Sequence, residues 1–302
     1  MSLPEPRAAV VPLQPRRGLG EALWVALRPR QWTKNLLLFA GILFAAELAD
    51  AGRWARVLTA FAVYCAASSA AYLVNDLRDA RADRLHPVKR RRPLARGELT
   101  PRFALGVATA LAAAAIAGAA LLGWSALAFL LGFLALQGSY TLGLKHLVLI
   151  DVMAIAGLFV IRAAAGADAV DVRISPWLLV CTALLALFLA LGKRRGELVA
   201  SGATASTRAA LEGYSLPLVD QLVTVVASAT VVSYAVYALT AHDTYALAAT
   251  IPFVVFGVFR YLLLLQRETA GEEPENVLVS DLPILATVGL WSLTCALVLA
   301  LS

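Results

Sequence analysis

The stretch NDLRDARADRLHPVKRRRPLARG, Asn75 to Gly97, lies between two apolar runs that are each long enough to cross a bilayer. At about 100° per residue, Asp76, Asp79 and Asp83 fall within roughly 60° of arc on one face of a helix. Arg78 and Arg81 project to the other side. Like charges at this spacing repel, more strongly beside lipid than in water, so a helix leaving a membrane span needs cations to compensate them. Hard carboxylate oxygens suit Mg2+, which keeps part of its water shell and bridges to phosphates. His86, Lys89, Arg90, Arg91 and Arg92 follow at once, and they are donors suited to phosphate oxygens. An acidic site followed by a basic one is the order that a metal-bound diphosphate requires. A plainer reading, a topology signal with a solvated mixed-charge face, accounts for the basic run better than for three carboxylates on one arc beside Asn75.

Working outward, the 302 residues are 60% hydrophobic and only 15% charged, with a mean hydropathy of +0.76, which excludes an ordinary soluble domain. The net charge of +6 does not point to nucleic acid, because the basic residues sit in short segments between apolar runs. Cys65, Cys181 and Cys295 stand singly in such runs, which reads as packing and not as a zinc site or disulfide framework.

Residues 1–20 hold Pro4, Pro6, Pro12 and Pro15 with Arg7, Arg16 and Arg17, and are expected to form a disordered cytoplasmic tail. Residues 21–302 then form a single transmembrane domain. Nine spans are expected near 35–50, 55–74, 102–122, 125–143, 147–166, 176–192, 222–240, 245–265 and 282–301. With the N-terminus inside, roughly 21 of the 26 Lys and Arg fall on the cytoplasmic side, together with the acidic stretch. Arg162 and Arg260 fall within spans and are expected to face the bundle interior, while Glu272, Glu273, Glu275 and Asp281 read as solvated loop charge. His146 and His242 are single and carry no motif. Two connections are longer than a turn, 75–101 and the one opening with Gly192-Lys193-Arg194-Arg195-Gly196-Glu197. They follow the second and sixth spans, the spacing of an internal duplication whose halves face a shared cavity.

Asn75-Asp76-x-x-Asp79-x-x-x-Asp83-Arg84, with His86-Pro87, Lys89 and Arg92-Pro93, resembles the first aspartate-rich motif of the UbiA superfamily of intramembrane transferases. That resemblance implies an all-α polytopic bundle of about nine transmembrane helices, with a Mg2+-diphosphate site under a cytoplasmic cap. The second motif departs from the pattern: where prenyltransferases of the superfamily carry a second aspartate pair, this chain has Lys193, Arg194 and Glu197. Together with RPRQWTKN (Arg28 to Asn35), Tyr140, Leu144-Lys145-His146, Ile161-Arg162-Ala163 and GKRxxEL, the chain is similar to one particular branch. That branch moves a phosphoribosyl group from phosphoribosyl pyrophosphate to a polyprenyl (decaprenyl) phosphate for cell-wall arabinan synthesis. The resemblance implies a pentosyltransferase of the plasma membrane with its active site on the cytoplasmic face.

On this reading Asp76, Asp79 and Asp83 hold Mg2+, and Asn75 orients a metal-bound water or a ribose hydroxyl, with a helix cap as its plainer role. Arg84, Lys89 and Arg92 are expected to hold phosphate, and Lys34 and Asn35 to stand at the mouth of the first span. Tyr140, Lys145 and Arg162 are further substrate-binding candidates, a structural ion pair being as good a reading for Arg162. Lys193 and Arg194 supply cations for the donor's 5-phosphate, a second anionic group that a prenyl diphosphate lacks, and Glu197 beside them is a further substrate-binding candidate. Two other readings stay open: a prenyltransferase acting on an aromatic acceptor, and a transporter gated by the charged connections. No nucleic-acid partner is expected, and homo-oligomerisation is left open.

Overall fold

The computed structural model describes residues 16–44, 50–85, 88–201, 213–240, 245–267 and 280–301. Helix α1, Leu19–Leu27, ends at Arg28, whose left-handed backbone turns the chain into a 3-10 segment, Pro29–Phe39, and the short α2, Ala40–Phe44. Then come α3 (Ala51–Leu85), α4 (Pro101–Leu122), α5 (Trp124–Leu142), α6 (Ile150–Ala169), α7 (Pro176–Ser201) and α8 (Leu216–Thr240). A 3-10 turn at Tyr245–Thr250 leads into α9 (Ile251–Gln266), and α10 (Leu282–Leu301) closes the bundle. Among the described residues there is no strand.

Eight of these helices are long and apolar enough to cross a membrane. The span expected at 35–50 is described only to residue 44, where it enters as the 3-10 segment and α2, six residues earlier than expected. The protein is a multi-pass membrane bundle.

Helix α3 decides where the charged residues go. Its 35 residues extend roughly 52 Å at 1.5 Å per residue, well beyond a hydrocarbon core of about 30 Å. The last turns therefore leave the apolar layer while still helical, and they carry Asn75, Asp76, Asp79 and Asp83. Within the layer, α3 buries Val57, Ala60, Val63, Tyr64 and Ala67 against Leu38, Ile42, Ala115, Ala119, Leu130, Phe133 and Leu158. A second core joins Phe188 and Leu191 of α7 to Val219 and Val223 of α8 and Val258, Tyr261 and Leu265 of α9. Helix α6 contributes to both, through Leu158 and Val152, and so stands between the two halves. Val225, Val232, Phe256, Phe259, Leu290 and Leu293 point outward, an apolar exterior that suits lipid.

The entry segment packs backbone against backbone. A Cβ on Gly166 of α6 would lie 2.2 Å from the Leu38 carbonyl oxygen, and one on Gly41 would lie 2.7 Å from the Ala167 Cα. Small residues permit such approaches in lipid, where close packing replaces the hydrophobic drive between helices.

Some sequence expectations change here. The tail expected over 1–20 gives way to helix at Leu19, and Arg17 is already anchored by its hydrogen bonds to Glu98. The rest of that tail, 1–15, lies outside the described residues, as do His86, His242, Glu272, Glu273 and Glu275. Asp281 is not solvated loop charge: its carboxylate accepts from Arg260 at 2.8 and 3.2 Å and from the Ile284 amide at 3.0 Å. The bond from Arg260 holds this carboxyl below its ordinary range, and Asp281 thereby caps α10. The three cysteines are free thiols.

Gly166→Leu is expected to lower the thermal midpoint of the detergent-purified protein by several degrees, because no side chain there can avoid the Leu38 backbone. Gly106→Leu, which meets open space on α4, should leave the midpoint unchanged. Equal midpoints in scanning fluorimetry would contradict the packing.

Candidate active site

Asp76 and Asp83 stand two turns apart on the inner face of α3, 2% and 4% exposed. One guanidinium serves both: Arg92 Nη1 lies 3.1 Å from Asp76 Oδ1 and 2.7 Å from Asp83 Oδ2. Asp76 Oδ1 also accepts from Arg28 Nη2 at 2.5 Å. Arg28 reaches it because its positive φ of 55° folds the end of α1 back toward α3, and its guanidinium lies over the Tyr72 ring at 4.8 Å. The loop carrying Arg92 is pinned by its neighbours. The Arg92 amide bonds the Lys89 carbonyl at 2.9 Å, and the Glu98 carboxylate takes Arg17 at 3.2 Å and Arg96 at 3.1 Å.

Asp79 takes a different partner. Its two oxygens accept from Lys145 Nζ at 3.3 and 3.1 Å, the lysine rising from the 3-10 turn Leu144–His146 after α5. Arg78, on the outer side as expected, donates to the Leu142 carbonyl at 3.2 Å. The three aspartates therefore share a helix face but fan out to two sets of cations. Among the described residues no group of three or more His, Cys, Asp or Glu converges. Asp76 and Asp83 are the pair that the structure draws together, and Asn75 lies half-buried beside them.

Other expected site residues are placed less centrally. Arg84 donates to the Ala95 carbonyl at 3.2 Å, so it braces the loop of Arg92. Lys89 is exposed on that loop, while Lys34, Tyr140 and Lys193 are half-buried. Asn35 and Arg162 depart from expectation. Asn35 is completely buried and bonds Cys65 Sγ at 3.3 Å, eleven residues before Asp76 on α3 and so roughly 16 Å deeper along the helix. Arg162 donates to Asn35 Oδ1 at 2.8 Å and to the Leu158 carbonyl at 3.0 Å, and lies over Phe133 and Phe159. Arg162 thus meets an amide, a carbonyl and two rings, and clamps the entry segment from the interior of the bundle.

The second charged connection is a closed network. Arg194, 1% exposed, donates to Asp151 Oδ2 at 2.7 Å and is ion-paired to Glu197. Tyr214 donates to Asp151 Oδ1 at 2.7 Å and accepts from the Leu149 amide at 2.8 Å. Burial, reinforced by that bond to Asp151, pushes the Tyr214 phenol up, so it stays a donor at neutral pH. Arg194 is thus not an open cation for a second phosphate, as the run Lys193-Arg194-Arg195 suggested. Its neighbour Arg195 is also engaged, to Asp220 at 2.7 Å and to the Leu265 carbonyl at 2.6 Å.

Sequence reasoning missed Arg28, Glu98, Asp151 and Tyr214. Asp151 had a signal, a lone carboxylate at the start of the apolar run VMAIAGLFVI, where membrane helices carry an acid only with a partner. Arg28 stood in a noticed motif with no cue to its target.

Fold and site together define a multi-pass intramembrane helical bundle whose polar end gathers carboxylates, arginines and a lysine around one overlong helix. A family model described as the UbiA prenyltransferase family matches residues 36–279, and the chain belongs to that family. It is 37% identical over 88% of its length to a decaprenyl-phosphate phosphoribosyltransferase of Mycolicibacterium smegmatis, covering 89% of that protein. It is 39% identical to one from Corynebacterium glutamicum, covering 89% of this chain and 83% of the other. Among solved structures, a UbiA homolog from Archaeoglobus fulgidus bound to GPP and Mg2+ superposes with a TM-score of 0.71 at 17% identity, covering 93% of this chain and all of that one.

Removing one member of a buried pair strands the other, so Asp151→Leu is expected to cost on the order of 3 kcal/mol. The double change Asp151→Leu with Arg194→Met should recover most of it, as read from thermal unfolding in detergent. A double variant no more stable than the single would contradict the pairing.

Proposed function

We propose that this chain transfers the 5-phosphoribosyl group of phosphoribosyl pyrophosphate to a polyprenyl phosphate of the decaprenyl type, releasing pyrophosphate. One observation carries the reading. The acidic motif on α3 is ringed by three cations from separate elements, Arg28, Arg92 and Lys145, while Asp151 at the start of α6 and Glu197 in the second connection are committed to Arg194. A second carboxylate clamp is therefore closed, and with Lys89, Arg90 and Arg91 exposed on the Arg92 loop, cations outnumber carboxylates at the first. A donor with a pyrophosphate and a 5-phosphate needs such a surplus; a prenyl diphosphate, charged at one end, needs less. The names of the two bacterial relatives, matched at high coverage, support transfer of a phosphoribosyl group to decaprenyl phosphate.

Asp76 and Asp83 fit a divalent ion: hard oxygens on one helix face, near enough that one guanidinium nitrogen serves both, with Asp79 one turn away. When bound there, Mg2+ supplies Lewis acidity toward the departing pyrophosphate. Arg28, Arg92 and Lys145 bind the donor's phosphate oxygens, Asn75 meets a ribose hydroxyl, and Lys193 and Lys89 reach the 5-phosphate. With the sugar so held, the bond from C1 to pyrophosphate breaks and its electron pair leaves with the pyrophosphate. A lipid-phosphate oxygen forms the new bond to C1 from the opposite face. The passage is oxocarbenium-like, as in other displacements at an anomeric carbon, and gives inversion to a β-ribosyl product. The attacking phosphate is already ionised near pH 7, so no general base is needed.

Arginine and lysine crowd the end that bears Asp76, which by the positive-inside rule faces the cytoplasm of a plasma membrane, with the N-terminus on the same side. Products of the reaction would serve cell-wall arabinan assembly.

The test is direct: purified protein is incubated with Mg2+, labelled phosphoribosyl pyrophosphate and a polyprenyl phosphate, and lipid-soluble label is followed. Wild type is expected to form a phosphoribosylated lipid. Asp76→Asn should lower kcat by about a thousand-fold with its thermal midpoint retained, and chelation of the metal should abolish turnover. Lys193→Ala should raise the donor KM about ten-fold and leave the lipid KM unchanged, the loss of one charge-assisted bond. Consumption of a prenyl diphosphate with an aromatic acceptor, and none of the phosphoribosyl donor, would overturn the reading.

A further inference from the structure

We infer that Arg28 and Arg92 are exchangeable counter-ions, held by Asp76 and Asp83 until a divalent cation takes the carboxylates and both guanidiniums pass to the donor's phosphates. The inference rests on the proposed function for the identity of metal and donor. Its own content is the exchange, which makes Arg28 a substrate-binding residue.

Three observations carry it. First, the carboxylates are already engaged by the arginines. Asp76 Oδ1 accepts from two arginines at 2.5 and 3.1 Å, and the Arg92 nitrogen that reaches it also holds Asp83 Oδ2 at 2.7 Å. A divalent ion bound to those oxygens would sit against two guanidiniums, and like charges so close in a partly desolvated site repel strongly. Metal and arginines therefore compete for one seat.

Second, the arginines are free to leave while the carboxylates are not. Asp76 and Asp83 are buried on a continuous helix, whereas the side chains of Arg28 and Arg92 are 24% and 25% exposed and arise from a corner and a loop. Arg92 has its backbone fixed by bonds at Lys89 and Arg96, so its long side chain can swing from a stationary base. Arg28 is itself the left-handed residue that joins α1 to the 3-10 segment.

Third, the protein contains a counter-example. Arg194 is also shared between two carboxylates, yet it is 1% exposed and rises from α7 between Asp151 and Glu197. Enclosed among the described residues, it acts as a rivet. The two clusters use the same chemistry with opposite access, which marks the first as a place where partners change. The exchange also balances charge: a divalent cation replaces two guanidiniums at the carboxylates, and a multiply charged anion receives them.

The probe is Mn2+, whose free form gives an electron-paramagnetic signal, titrated into the purified full-length protein first alone and then with inorganic pyrophosphate. With the competing cation removed, Arg92→Met should bind Mn2+ alone about ten-fold more tightly than wild type, and the Mn2+-pyrophosphate complex about ten-fold more weakly. Arg28→Met should shift both affinities in the same directions. A residue that merely braces the fold would weaken both or neither. Thermal midpoints confirm folding, and Arg92→Lys, which keeps the charge and loses the fork, replaces Arg92→Met if that variant does not fold; it should fall between the extremes. Unchanged or weaker Mn2+ affinity in the arginine variants would overturn the exchange, even in a protein that makes the phosphoribosyl lipid. Opposed shifts in a protein that makes no such lipid would uphold the exchange and remove only the donor assigned above.

Discussion

Two carboxylates buried side by side at the edge of a bilayer cannot stand without positive charge against them. Asp76 and Asp83 are in that position because α3 overruns the apolar layer and turns both toward the bundle. Desolvation of an unpaired carboxylate is costly, and two neighbours repel as well, so the surrounding chain is shaped to deliver compensation. The α1 corner supplies Arg28, the loop after α3 supplies Arg92, and the turn after α5 supplies Lys145 beside Asp79. Glu98, buried under that loop and tied to Arg17 and Arg96, fixes the base from which Arg92 reaches in. The polar end of the molecule is in this sense built around one helix face.

The opposite half shows what the same ingredients do when they are sealed. Asp151, Arg194, Glu197 and Tyr214 join the start of α6, the end of α7 and the approach to α8. Such a network contributes little net stability over an apolar core of the same shape, but it is expensive to break and so holds the helices in one arrangement. Through Arg194 and Glu197 it fills the second charged connection.

The membrane bundle was legible in the sequence because length and hydropathy alone decide spans, and the three aspartates were legible because their spacing matches the helical repeat. What escaped was partnership. Arg28 meets Asp76 across 48 residues and Lys145 meets Asp79 across 66, distances at which periodicity carries no signal. The run Lys193-Arg194-Arg195 read as an open basic patch, yet successive residues on a helix point about 100° apart. Arg194 therefore turns inward to Asp151 while Arg195 turns to Asp220. Asn35 looked like a residue of the mouth because it follows Lys34, but the 3-10 path and the Gly41 and Gly166 contacts carry it deep beside Arg162. The first span started early for the same reason, since the left-handed turn at Arg28 is invisible in composition.

The central claim, that the buried pair on α3 is the metal seat and that its arginines serve the donor, is met most directly by an anomalous-scattering experiment. Crystals grown with Mn2+ and phosphoribosyl pyrophosphate should give an anomalous peak bonded to Asp76 and Asp83, with the Arg28 and Arg92 guanidiniums turned onto phosphate oxygens. A peak elsewhere, with Arg92 still lodged between the two carboxylates, would contradict the account.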